Sequence, residues 1–167
     1  MKKYRFILLY LVLLIAQVFL CNYFGLSRYV LISVLPALIL TLPLEWGSIA
    51  AMLAAFATGF AVDFFSNGLL GITSAALVPV GLVRRSIIGL VFGDEFSSRG
   101  EQLSTSRLGL LRFALSLLML CSLYFAIFIW IDSAGTAGFW QCFLRFMLSL
   151  AVSTPVCVFA ARLLRPE

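Results

Sequence analysis

Apolar stretches of about twenty residues recur six times along the chain and are separated by short polar segments. A helix of that length crosses roughly 30 Å of hydrocarbon. The stretches are apolar on every side and lack the strict alternation that a closed membrane β-barrel needs. The pattern therefore predicts an all-α integral membrane protein whose six transmembrane helices form one bundle. The predicted spans are 6–23, 26–44, 47–65, 69–91, 108–131 and 139–164, in a single domain over residues 1–167.

The composition agrees with this class. Of the 167 residues, 63% are hydrophobic and 11% are charged, and the mean hydropathy is +1.11. A soluble domain of this length has too little interior to hide so much apolar surface. The main polar segment is the loop 93–107 between the fourth and fifth spans, so little of the chain remains for an aqueous domain.

Lysine and arginine are distributed unevenly between the predicted loops. Cytoplasmic loops of membrane proteins carry the excess of these residues, so we expect both termini and the loop 93–107 in the cytoplasm. An even number of spans agrees with this, because it returns the chain to the face that it left. Arg84 and Arg85 are interpreted as a basic anchor at this surface. The net charge of +5 is then explained by anionic lipid, with no need for nucleic acid. The basic residues assigned to this side are Lys2, Lys3, Arg5, Arg84, Arg85, Arg99, Arg107, Arg112, Arg162 and Arg165.

Little in the chain points to catalysis. Histidine is absent, which removes the commonest general base and metal ligand. An intramembrane aspartyl hydrolase needs two carboxylates that meet at membrane depth, whereas Asp132 follows the fifth span in a loop. The four cysteines show no Cys-x-x-Cys spacing. We therefore expect no enzyme activity, no metal site and no cofactor.

The third predicted span carries small residues on one face. Ala51, Ala55 and Gly59 recur every four residues and are followed at the same step by Asp63. Small residues at this spacing let another helix approach closely, so that dispersion and weak Cα–H hydrogen bonds hold the pair. Two interpretations stay open: this face packs inside the bundle, or it binds a helix of another protein.

Asp63 lies at the end of this span, where an ionisable group costs free energy unless it has a partner. Ser66 and Asn67 follow it, and Gly68 and Gly71 allow a sharp return of the chain into the fourth span. One interpretation is a capped helical hairpin. Oxygen atoms of Ser66 or Asn67 would accept the free N–H groups of the fourth helix, and the negative charge would favour its positive end.

The alternative interpretation is an ion pair between Asp63 and Arg145. Arg145 lies less than two turns into the sixth span and therefore on the same, outer side of the predicted bundle. Opposite charges at membrane depth normally pair with one another. The sequence alone does not decide between the cap and the ion pair.

The segment Gly59-x-x-x-Asp63-Phe-Phe-Ser-Asn67, with Gly68 and Gly71 after it, forms a recognisable motif. It resembles the core of the bacterial rod shape-determining protein MreD family. Ala37 stands where members of that family have an aspartate. The resemblance extends in outline over nearly the whole chain, through Leu42-Pro43-Leu44-Glu45, Arg84-Arg85, the polar linker, Leu108-Gly109, and Arg145 with Ser149.

The resemblance implies a non-enzymatic scaffold subunit of the cell-elongation machinery in the bacterial cytoplasmic membrane. Its main partner would be MreC, with MreB, RodA and the elongation transpeptidase as further partners, and it would act by lateral helix association among the membrane lipids. The competing hypothesis is a six-helix substrate-binding subunit of a vitamin transporter, which has similar length and hydrophobicity. Such subunits have an alanine-rich first helix, whereas the first span here offers only Ala16 among bulky residues.

Overall fold

The structure is a computed structural model that describes residues 2–24, 31–43, 47–66, 70–92, 110–133 and 138–164. Within these ranges every regular element is a helix, which confirms the predicted all-α class. Five of the helices there are long and apolar enough to cross a membrane. These five are α1 (Lys2–Phe24), α3 (Ser48–Phe65), α4 (Ile72–Phe92), α5 (Leu110–Asp132) and α6 (Phe139–Leu164), and the remaining helix is the short α2 (Leu35–Leu40).

The second predicted span is not a continuous helix. Residues 31 to 34 form a segment without regular secondary structure, here called the non-helical segment, and α2 after it has six residues. Pro36 lies in the first turn of α2. A proline has no N–H to donate, and its ring clashes with the carbonyl four residues earlier, at Ile32, so a helix tends to begin at it. The prediction of a continuous helix over 26–44 is therefore wrong for residues 31–34, whereas Leu35–Leu40 is helical as predicted.

The part of the chain that connects α1 to α3 nevertheless runs from one end of the bundle to the other. The Tyr10 hydroxyl lies 2.7 Å from Thr58 Oγ1, and the Asn22 side chain donates to the Phe65 carbonyl at 3.2 Å. Later residues of α1 thus meet later residues of α3, so the two helices point the same way. The chain between them has to return to the opposite end, and the non-helical segment and α2 lie on this return path.

The return path fixes the direction of the last helix. Leu31 bonds to Ser149, and Ser33 bonds to Ser153 and Cys157, so this segment runs in the same direction as α6. Because the same segment runs opposite to α1, α1 and α6 are antiparallel. The start of α1 and the end of α6 consequently lie at one end of the bundle.

The short helix α2 forms the centre of the fold. The five long helices surround it in the order α1, α3, α4, α5, α6 and back to α1, and each of them contacts α2. All six residues of α2 are buried. The core is thus built around the element that is least able to cross a membrane by itself.

Candidate functional site

Asp63 accepts four hydrogen bonds from the turn and first residues of α4. Its Oδ2 accepts the N–H of Gly71 at 2.9 Å, and both the N–H and the hydroxyl of Ser74 at 3.2 Å. Its Oδ1 accepts the N–H of Thr73 at 3.3 Å. The side chain is 3% exposed. Asp63 therefore caps α4 from the neighbouring helix, and its negative charge lies at the positive end of the helix dipole.

The glycines on either side make this cap possible. Gly71 has φ +100, a left-handed conformation that other residues rarely adopt, and it lacks the side chain that an N-cap residue would normally contribute. A Cβ on Gly59 would lie 2.5 Å from Ser74 Cα. Gly59 is one turn before Asp63 on the same face of α3. The absence of its side chain brings α4 close enough for the carboxylate to reach the backbone of that helix.

The small-residue face of α3 packs against α4. Ala51 and Ala55 are buried, at 2% and 0% exposure. A Cβ on Gly81 of α4 would lie 2.9 Å from the Ala51 carbonyl oxygen and 3.1 Å from Ala55 Cβ. Of the two interpretations left open by the sequence, the structure shows internal packing. Gly81 was not predicted as part of this contact, although a glycine in mid-helix is a sequence signal of close approach.

The ion pair between Asp63 and Arg145 is not formed. Arg145 Nη1 instead donates to Asp132 Oδ2 at 2.6 Å, with side-chain exposures of 23% and 32%. Asp132 is the last residue of α5 and Arg145 lies about two turns into α6. The hypothesis that paired Asp63 with Arg145 was wrong, because the end of α5 brings a nearer carboxylate to Arg145 and the α4 backbone already binds Asp63.

A charge exchange between Asp132 and Arg145 is expected to preserve stability. Reversing either charge alone places two like charges together, whereas the double variant Asp132→Arg, Arg145→Asp restores the pair. For partly exposed residues the coupling is about 0.2–1 kcal/mol, measurable with a double-mutant cycle in a detergent unfolding titration. The parallel cycle for Asp63 and Arg145 should show no coupling, and rescue there would contradict the observed pairing.

Arg84 lies inside the bundle. It is 3% exposed, and its Nη2 donates to the Leu42 carbonyl just beyond α2. The last carbonyls of a helix lack helical partners, and a positive charge is favourable at that end. Arg84 is also roughly 18 Å along α4 from Ile72, well before α4 ends at Phe92. The prediction that Arg84 is a surface anchor is therefore wrong, while its neighbour Arg85 is exposed.

The polar contacts of the non-helical segment were not predicted from the sequence. On one side, Gln17 of α1 accepts the Val34 N–H at 2.7 Å through Oε1 and donates to the Ile32 carbonyl at 3.3 Å through Nε2. The Ile32 carbonyl is the one that Pro36 leaves without a helical donor. Gln17 is 1% exposed. A buried glutamine in an otherwise apolar span was a signal, because buried amides require hydrogen-bond partners.

On the other side, α6 supplies the partners. Ser149 Oγ accepts the Leu31 N–H at 2.9 Å. Ser153 Oγ accepts the Ser33 N–H at 3.2 Å and donates to the Leu31 carbonyl at 3.1 Å, and the Cys157 thiol donates to the Ser33 carbonyl at 3.1 Å. Bonds alternate between α1 and α6 along the segment, as they do between the two sides of a β-strand. The four-residue spacing of these α6 side chains was the available signal.

Asn67 and Gly68 of the motif lie outside the described residues. Within the part of the chain that is described, no group of three or more histidine, cysteine, aspartate or glutamate side chains has the arrangement of a metal site. Comparisons with protein-family models, with curated proteins and with solved structures found no match to this chain.

Proposed function

We propose that this protein is a non-enzymatic, multi-pass scaffold subunit of the bacterial cell-elongation complex. It lies in the cytoplasmic membrane with both termini in the cytoplasm and binds MreC through its outward helix faces. MreB, RodA and the elongation transpeptidase are further partners in the same assembly. The proposal rests on the motif around Asp63 and on the distribution of polar and apolar surface.

One observation carries the proposal. Several ionisable groups that lie within or next to the apolar helices bind other parts of the same chain: Asp63 caps α4, Arg84 binds the end of α2, and Arg145 pairs with Asp132. These groups stabilise the bundle itself. The outward surface of the long helices is dominated by large apolar side chains, which suit lateral association with a transmembrane helix.

The membrane orientation in the proposal agrees with the direction of the helices. The start of α1 and the end of α6 lie at the same end of the bundle, near Lys2, Lys3 and Arg162. The acidic residues Asp63 and Asp132 lie towards the opposite end. A basic end in the cytoplasm follows the usual distribution of lysine and arginine.

The side of the ring formed by α1 and α6 is the proposed docking surface. Only 6% of the apolar stretch of α1 and 17% of that of α6 is buried within the protein, against 33% in α3, 33% in α4 and 39% in α5. These two neighbouring helices therefore leave the largest share of apolar surface for another helix. A transmembrane helix of MreC is the proposed occupant.

Depletion of the protein tests the cellular role. We expect rod-shaped cells to become round while their nutrient requirements stay unchanged, because loss of a scaffold disperses the synthesis of the side wall. Cell shape is measured by microscopy and the requirements by growth on defined media. Unchanged shape together with a new vitamin requirement would instead support the transporter subunit.

Photo-crosslinking in living cells tests the docking surface. A photoreactive amino acid replaces Leu11 of α1 or Met147 of α6, which are 53% and 45% exposed. We expect a covalent adduct with MreC from at least one of these positions. Leu82 of α4 is the matched control, since it is 50% exposed but lies on another side of the ring. Adducts with MreC from Leu82 alone would refute the proposed surface.

A further inference from the structure

The non-helical segment depends on residues that are synthesised long after it. Leu31 and Ser33 are separated by 118 to 124 residues from their partners on α6, namely Ser149, Ser153 and Cys157. Until α6 is in place, the N–H and carbonyl groups of Leu31 and Ser33 have none of these partners. Backbone groups without partners are not tolerated in hydrocarbon, where no water replaces them.

A helix would supply the backbone groups of Leu31 and Ser33 with partners from the same stretch, although Pro36 leaves the Ile32 carbonyl without a helical donor. The apolar pattern over 26–44 is that of a continuous membrane helix. Pro36 is compatible with such a helix, because Pro79 and Pro155 lie inside α4 and α6 without ending them. The helical form is no longer the only one that gives these backbone groups hydrogen-bond partners once α6 is in place. The hydroxyl and thiol groups of α6, one on each successive turn, then supply partners to the non-helical form.

We propose that the non-helical segment, residues 31–34, is a conformational switch that is helical before α6 docks and is converted to its non-helical form by α6. Ser149 and Ser153 stabilise the converted form from one side. Gln17, which is already present on α1, stabilises it from the other side by binding Ile32 and Val34. The conversion exchanges hydrogen bonds within the segment for hydrogen bonds to side chains of two other helices.

The switch makes completion of the core depend on the last helix. The short helix α2 follows the segment directly and contacts all five long helices. A chain that lacks α6 therefore cannot complete the centre of its bundle. This property distinguishes chains that contain α6 from chains that lack it, and it is independent of the proposed role in cell elongation.

The test uses the full-length protein in lipid bilayers. The double variant Ser149→Ala, Ser153→Ala removes the acceptors for the Leu31 and Ser33 N–H groups and the donor to the Leu31 carbonyl. Solid-state NMR reports the backbone conformation through the carbon chemical shifts of Ile32 and Ser33. We expect non-helical shifts in the unmodified protein and helical shifts in the double variant.

Thr154→Ala is the matched control on the same helix. The Thr154 hydroxyl donates to the Leu150 carbonyl of α6 itself, so its removal should leave the non-helical shifts unchanged. Helical shifts in the unmodified protein, or non-helical shifts retained in the double variant, overturn the proposal. If the double variant does not accumulate, the single variant Ser149→Ala should show helical signals beside the non-helical ones. Non-helical signals alone in that variant also count against the switch.

Discussion

Replacing Asp63 by asparagine is expected to destabilise the protein by about 3 kcal/mol. The substitution keeps the size of the side chain but removes the charge and turns one oxygen into an N–H donor. That donor would face a backbone N–H of α4, at Gly71, Thr73 or Ser74, and leave it without an acceptor. Hydrogen bonds to a charged group are worth more than neutral ones, and an orphaned buried N–H costs roughly 1–3 kcal/mol. An unfolding titration in mixed detergent micelles, followed by circular dichroism, measures the change.

Asp132→Asn is the matched control for this substitution. It removes the charge of the other carboxylate near that end of the bundle, but Asp132 is 32% exposed and accepts one hydrogen bond from Arg145. We expect a loss of at most about 1 kcal/mol, as for other exposed ion pairs. Equal losses from the two substitutions would show that the four hydrogen bonds to Asp63 contribute little to the hairpin.

Replacing Gly59 by alanine is expected to cost about 2–3 kcal/mol, the upper part of the range for overpacking. The added Cβ would lie 2.5 Å from Ser74 Cα and 2.7 Å from Ser74 N. These are backbone atoms of a helix, which cannot move aside like the end of a flexible side chain. The helices α3 and α4 must therefore separate, which also lengthens the 3.2 Å bonds between Asp63 and Ser74. The same unfolding titration measures the loss.

Gly47→Ala is the control, because nothing lies within 4 Å of a Cβ at Gly47. We expect a loss of at most about 1 kcal/mol there, because Gly47 is the N-cap of α3, where alanine is less favourable than glycine. The combination of Gly59→Ala with Asp63→Asn should cost less than the sum of the two single losses, since both weaken the same contact with Ser74. A strictly additive result would mean that the close approach at Gly59 and the cap at Asp63 act separately.

The α3–α4 hairpin was largely predictable because its determinants are close together in sequence. Gly59 and Asp63 are one helical turn apart, and Gly71 follows Asp63 by 8 residues. The cap itself was one of two interpretations, and its donors were correctly placed in the first turn of α4. The acceptor was assigned to Ser66 or Asn67, whereas the carboxylate of Asp63 accepts these bonds directly.

The partners of the arginines were not predictable in the same way. Arg145 had two carboxylates available on one side of the bundle, and the distance to each depends on how the hairpins pack. Arg84 was next to another arginine and resembled a surface anchor. Its burial depends on α2, whose end presents the Leu42 carbonyl to it. A charged residue in an apolar pattern shows that a partner is needed but does not identify it.

The sequence by itself determined the all-α class, the long apolar helices and the small-residue face of α3, because these depend on local hydrophobicity, helix periodicity and small residues one turn apart. That this face packs against α4 was decided by the tertiary structure. Tertiary structure alone decided which proline interrupts a helix. Pro79 and Pro155 remain inside helices, while the helix with Pro36 begins next to it. The difference lies in the partners for the freed backbone groups, which Gln17, Ser149 and Ser153 supply from distant parts of the chain. The polar residues on α1 and α6 are visible in the sequence, but the sequence does not show which backbone groups they bind over such separations, so only the folded bundle reveals these contacts.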